Sequence, residues 1–185
     1  MSRVVDVRSV VIQGLSILII CTFIELGAGF TLKEMENRFM LIPGLAIMTL
    51  PLLDLRGNIN GALASRLGTA LHIGVISPKL KLTAELKANL SASLILSLIT
   101  SATIGVLSWL MGAMMGLPVN ILQLMVVAVI AGFTSGLILA FLTVLVAVFT
   151  YLRGWDPDNI TSPAMSTIGD LLTVICIYLA VLLVG

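Results

Sequence analysis

The chain has 185 residues, 59% of them hydrophobic and 10% charged, with a formal net charge of +1 at pH 7, and its mean hydropathy is +1.17. That charged fraction is under half the roughly 25% of a soluble globular domain, so a water-soluble fold is excluded and an integral membrane protein is indicated. A near-neutral chain without a long basic tract has no grip on nucleic acid, and it lacks the Gly-rich phosphate loop with Lys and Ser or Thr that would signal a nucleotide-driven machine.

The first apolar run covers residues 10–30, about the 20 residues a helix needs to cross a bilayer. Arg3 and Arg8 precede it and Gly27-Ala28-Gly29 follows, which also suits a secretory signal. The run is longer than a signal core and carries Glu25, so it reads as a spanning helix. Glu25 is fifteen residues beyond Val10, about 22 Å along the axis. That depth is nearer the outer end, where a carboxylate lines a vestibule, takes a proton or simply reaches water.

Residues 39–55 make a short second run interrupted by Pro43 and Pro51, which remove backbone donors and kink helices. Broken backbone at membrane depth is tolerated where it is buried in protein or lines a wet cavity, so the second helix is expected to be broken and Pro51 to mark a site or gate. Gly57-Asn58 and Asn60-Gly61 are turn-forming pairs, while Leu63, Leu67 and Leu71 recur every fourth residue, so a helix restarts with one apolar face. Asn58, Asn60, Ser65, Arg66 and Thr69 then lie at or just inside the membrane surface. There Asp54 and Arg56 read as a local charge pair, with an ion-ligand role for Asp54 as the alternative. His72 stands without the second His or Cys of a transition-metal site.

Residues 88–115 and 121–151 are the third and fourth spans. Ser93, Ser97, Ser101 and Ser108 with Gly105, and then Gly132 and Gly136, follow the small-residue spacing that lets helices approach closely. Trp109 and Trp155 are placed to mark the two interfaces.

The fifth span, residues 163–185, follows a polar turn in which Asp156-Pro157 and Asp158 suit a helix start. Asp170 lies inside it, seven residues past Pro163 and so about 10 Å into the span, with Ser166 one turn earlier on the same face. An ionised carboxylate there costs from about 2.5 to over 10 kcal/mol unless something compensates it. No Lys, Arg or His is expected deep in any span to serve as its partner, which leaves a cation, a proton or water. Cys21 and Cys176 are isolated in apolar runs and read as packed thiols.

With five helices and an inner N-terminus, the inner side holds Arg3, Arg8, Arg56, Arg66, Lys79, Lys81, Lys87 and Arg153, and the outer side Lys33 and Arg38. The positive-inside rule therefore puts the N-terminus inside and Gly185 outside. The sequence shows no internal repeat, and an odd span count leaves no room for two inverted halves.

Pro51, Gly57-Asn58 and Leu63-Ala64-Ser65-Arg66-Leu67-Gly68-Thr69-Ala70 resemble the signature of the MgtE magnesium transporter family, most of all its short archaeal members and eukaryotic solute-carrier relatives. Asp156-Pro157, Pro163 and Asp170 followed by Tyr178 resemble the last helix of that family, and Glu25-Leu26-Gly27-Ala28-Gly29 its first. The chain departs from bacterial members in having Arg56 where they usually carry a Gly before the Gly-Asn pair, and Ser162 where an Asn is frequent.

The resemblance implies a homodimeric conduit for magnesium or a related divalent cation, lined by the second and fifth helices. It assigns ion contacts to Asp170 and Asp156, and pore-lining or gating positions to Ser166, Ser162, Asn58, Pro51 and Glu25. It further implies one transmembrane domain over residues 1–185 without a cytoplasmic sensor domain, in a multi-pass protein of the cell membrane. By the same resemblance magnesium is the expected transported ion, with no cofactor and no enzymatic activity expected. Magnesium keeps several waters and needs only one or two carboxylates, and a two-fold axis would supply a second Asp170. A structural membrane subunit is the alternative. An intramembrane enzyme is a weaker one, since Ser, His and Asp are scattered without a catalytic constellation.

Overall fold

Six helices build the described part of the chain, residues 7–78 and 82–184 of a computed structural model. They are α1 (Val7–Glu34), α2 (Glu36–Leu41), α3 (Leu45–His72), α4 (Ala84–Met114), α5 (Ile121–Leu152) and α6 (Pro157–Val184). Four stretches are long and apolar enough to cross a membrane: residues 14–34 of α1, all of α4, all of α5, and residues 160–184 of α6. α3 is as long as α1 at 28 residues, or about 42 Å, but its Asp54, Arg56, Asn58, Asn60 and Arg66 make it too polar to qualify by composition.

Local chemistry fixes the ends. The Thr83 hydroxyl accepts from the Leu86 amide at 3.2 Å to open α4, and the Asn120 side chain accepts from the Leu122 and Gln123 amides at 2.9 and 3.2 Å to open α5. Both satisfy amides that a helix start leaves without intrahelical partners. Gly44, at φ 88°, makes the left-handed turn into α3 that a side chain would resist.

Glycine contacts set the register. A Cβ on Gly57 or Gly61 of α3 would meet the Ser166 or Ser162 hydroxyl of α6, and one on Gly132 or Gly136 of α5 would meet Ser101 or Ser97 of α4. Rising numbers on one helix match falling numbers on the other, so both pairs are antiparallel. α5 runs parallel to α3 and packs against α3, α4 and α6, while α1 packs mainly on α6. Cys21 against Pro163 and Glu25 against Asp170 make α1 and α6 parallel.

Two apolar clusters hold the bundle. One joins Met48 and Leu52 to Leu124, Val127, Ala131, Val174 and Ile177. The other joins Leu63, Leu67 and Leu71 to Leu86, Ala140, Val144 and Ala147, so the fourfold leucine repeat buries as expected. Most of the α1 surface is exposed, including Leu18, Phe23, Leu26 and Phe30, as suits a helix in contact with lipid.

Of the two expected interruptions of the second helix, the one at Pro43 is present and the one at Pro51 is not. α3 is continuous through Pro51 and Asn58, and the interruption falls at Pro43-Gly44, between α2 and α3. Pro51 sits exposed inside α3, where only one internal hydrogen bond is lost while buried Met48 and Leu52 anchor the flanking turns in the core.

Arg56 is also not where the sequence suggested. It is 0% exposed, and with its place near the middle of α3 this leaves Arg66 and Lys87 as the described lysine or arginine positions toward the end of α3 and the start of α4. Arg3, Lys79 and Lys81 of the inner set lie outside the described residues, as do the side chains of Arg38 and Asp158.

The remaining small-residue positions pack as their spacing predicts. Ser93, Ser97, Gly105 and Ser108 of α4 and Gly132 and Gly136 of α5 are all buried. Cys21 and Cys176 are buried free thiols. His72 is held within its own helix by a 2.9 Å hydrogen bond between Nδ1 and the Gly68 carbonyl, with Tyr151 edge-on at 5.4 Å between ring centroids.

Candidate functional site

Asp170 stands thirteen residues after Pro157, where α6 begins, about 20 Å along the axis. It is therefore near the middle of the helix, deeper than a count from Pro163 suggests, because α6 starts six residues earlier. Its carboxylate is partly buried. Glu25 of α1 lies in side-chain hydrogen-bonding range of it, and Asp54 of α3 is close enough to act on it electrostatically. Three helices thus bring three carboxylates to one level. Glu25 lies nearer the C-terminal end of α1 and comes beside Asp170 because α1 and α6 run parallel.

Asp54 is exposed and accepts a 2.8 Å hydrogen bond from the Asn58 side-chain amide one turn on. It does not pair with Arg56. Residues two apart on a helix point about 200° apart around it, so Asp54 faces outward while Arg56 faces the core. Asp54 and Asn58 border a groove of about 350 Å³ with Pro51, Leu55, Thr100, Thr103 and Ile104. The Thr100 and Thr103 hydroxyls bond back to carbonyls of their own helix, those of Leu96 and Ile99.

Ser162 and Ser166 occupy the seam between α3 and α6. A Cβ on Gly57 would stand 2.7 Å from the Ser166 hydroxyl oxygen, and one on Gly61 3.1 Å from that of Ser162. Only glycine lets the two helices meet this closely. Asp156 is exposed immediately before α6, fourteen residues and about 21 Å along the axis from Asp170. The structure therefore brings Asp170 together with Glu25 and Asp54, places Asn58 on the Asp54 face, Ser162 and Ser166 in the seam, and Asp156 at a different level.

The residue that sequence reasoning missed is Arg56. Its guanidinium donates to the Ser97 hydroxyl at 2.9 Å and the Ser101 hydroxyl at 3.3 Å, both buried. Gly132 and Gly136 make the room: a Cβ on Gly136 would lie 2.5 Å from a terminal guanidinium nitrogen. Arg56 falls in the gap between the two apolar clusters, level with the carboxylates. A signal was present in the fourfold spacing Met48, Leu52, Arg56, which puts it on the buried face of α3.

Lys33 and Glu36 form an ion pair on the surface. Among the described residues no Lys or Arg nitrogen is in ion-pair contact with Asp170. Nor do three His, Cys, Asp or Glu side chains among the described residues converge closely enough to hold a metal ion. One copy of the chain thus brings carboxylates to one level without gathering them into a metal-binding cluster among the described residues.

A family model described as MgtE, divalent cation transporter, matches residues 49–180, from the second turn of α3 to the last turns of α6. No curated protein and no solved structure matches the chain.

Proposed function

Because the chain belongs to the MgtE family of divalent cation transporters, we propose that two copies of this multi-pass membrane protein form a conduit on a two-fold axis, through which hydrated magnesium passes the level of Asp170. The observation that carries this reading is the carboxylate level itself: Asp170 at mid-helix, beside Glu25 and near Asp54, with no ion-paired base among the described residues. An anionic layer at that depth is costly unless a cation or water meets it.

Dimerisation would bring further carboxylates to this level. A two-fold axis doubles every carboxylate facing it and yields a closed assembly. Magnesium suits such a site because it is held through retained waters by few carboxylates, and the separation of Asp170, Glu25 and Asp54 favours outer contacts over a tight cage. The exposed Asp54 and Asn58 would face the axis from α3, and Ser162 and Ser166 would flank the path toward Asp156 at its inner mouth. Pro51 would border the same wet face.

Five crossings are the reading that the helix directions favour. α1, α4 and α6 run one way and α3 and α5 the other, in strict alternation along the chain, and α3 is long enough to cross. Its polar residues are covered by α4, α5 and α6 or turned to the axis, which is how a helix of that composition is tolerated in a bilayer. With Arg66, Lys87 and Arg153 at one end of the bundle, that end is cytoplasmic. Residues 1–185 then act as a single transmembrane domain.

The test is magnesium entry into liposomes holding the purified protein. Wild-type protein should admit magnesium, and Asp170→Asn should abolish the flux while the dimer persists. Undiminished flux in that variant would overturn the reading.

A further inference from the structure

The geometry points to Arg56 as a positioning residue for the transported cation: a fixed positive charge clamped behind the carboxylates, which weakens their hold on a divalent ion enough to let it leave. The inference rests on the transport reading above.

Arg56 is wholly buried, its Nε has no hydrogen-bond partner, and its two terminal nitrogens reach serine hydroxyls rather than carboxylates. As a pure packing element this is a poor choice. Well-packed apolar residues commonly match or exceed the stability of buried charges. The surroundings are nonetheless shaped to it, since Gly132, Gly136, Ser97 and Ser101 all lie within contact distance of the guanidinium. A planar guanidinium keeps its charge at every physiological pH, so this is a constant field and not a switch.

Its position relative to the site is specific. The Arg56 Cβ would stand 3.2 Å from a Cβ on Gly169, the residue before Asp170, and Arg56 belongs to the same helical turn as Asp54 on the opposite face. Glu25 of α1 and Asp54 of α3 face Asp170, and Cys176 of α6 faces Arg56. α4 and α5 add Ser97, Ser101, Gly132, Gly136 and the apolar Leu139 there, and no charged group. In a dimer, six carboxylates would surround one divalent ion. A conduit must bind well enough to admit an ion and weakly enough to release it. Two guanidinium groups held in protein, where charges act over longer distances than in water, reduce the excess negative charge without occupying the path.

The deciding experiment compares wild type with Arg56→Lys, Arg56→Gln and Arg56→Met. Magnesium flux in liposomes is measured against concentration, and magnesium-dependent thermal stabilisation is measured on the purified proteins. Removing the charge should lower the half-saturating magnesium concentration about tenfold in the Gln and Met variants, the order of effect of one charge acting through protein, together with a lower maximal flux. Arg56→Lys should stay near wild type in half-saturation. Gln and Met variants with wild-type half-saturation overturn the inference and leave Arg56 a packing residue, whatever their maximal flux. Should those two fail to assemble, Ser101→Asp decides the matter, because it sets a carboxylate against the guanidinium while keeping the arginine. The same lowered half-saturation is expected, and an unchanged value overturns the inference. A wild-type protein that passes no divalent ion overturns the transport reading itself, whereas a transporting wild type with unchanged variants overturns only the role of Arg56.

Discussion

Gly136 of α5 lies against Arg56 of α3 so closely that a methyl group on the glycine would stand 2.5 Å from a guanidinium nitrogen and 2.7 Å from the Ser97 hydroxyl. No single rotamer change clears both neighbours, because the serine and the arginine are bonded to each other. Gly136→Ala should therefore destabilise the protein by about 1–3 kcal/mol, the usual range for overpacking. Gly27→Ala on α1 meets nothing within 4 Å and should be neutral or slightly stabilising, since Ala is the better helix former. Thermal unfolding in one detergent separates the two.

The α3–α6 seam offers a second test. Gly57→Ala crowds the Ser166 hydroxyl at 2.7 Å and should lower stability, whereas Gly57→Ala with Ser166→Ala removes the clashing oxygen and should recover most of the loss. A double-mutant cycle on the melting temperature should give a coupling of about 0.5–3 kcal/mol, as for residues in direct contact. Additive effects would mean that the helices do not meet there.

Flux should grade with distance from the carboxylate level. Glu25→Gln and Asp54→Asn, in reach of Asp170, should each reduce magnesium flux at least tenfold. Asp156→Asn, about 21 Å away along α6, should reduce it less. Liposome assays at one protein density check the order, and an Asp156 variant as inactive as Asp170→Asn would contradict the assigned path.

Alternating helix directions predict which ends face which side. Met115→Cys, past the end of α4, should react with an impermeant thiol reagent from outside, and Ile73→Cys, past the end of α3, only after the inner face is opened. Both positions are exposed, and the native Cys21 and Cys176 are buried, so they give little background. Labelling of both positions from one side would exclude the five-crossing arrangement.

Oligomeric state is open to direct measurement. The purified protein in mild detergent should weigh twice the 19.6 kDa of one chain, after correction for bound detergent. Asn58→Cys, on the exposed face of α3, should cross-link to its copy across the two-fold axis.

The all-helical class, four of the apolar runs and the anomaly of a carboxylate at Asp170 were legible in the residues. Composition is a one-dimensional property, and a carboxylate in an apolar run is anomalous wherever the neighbours are. α3 was harder to read. Its prolines and turn-forming pairs describe isolated local preferences, and burial between α4, α5 and α6 overrides them, so Pro51 and Gly57-Asn58 lie inside one continuous helix. Gly57 and Gly61 serve there as contact surface for Ser166 and Ser162 and not as turns.

The sequence by itself determined that this is a membrane protein with an acid where lipid forbids a bare charge, because hydropathy and run length depend on no partner. It also carried the motifs by which the MgtE family was suggested and then matched. Only the tertiary structure decided what surrounds that acid. Glu25 and Asp54 reach its level through the parallel register of α1 with α6 and the antiparallel register of α3, and Arg56 turns inward to Ser97 and Ser101 instead of pairing with Asp54. Which residues stand side by side across helices depends on register and rotation, and single-span hydropathy contains neither.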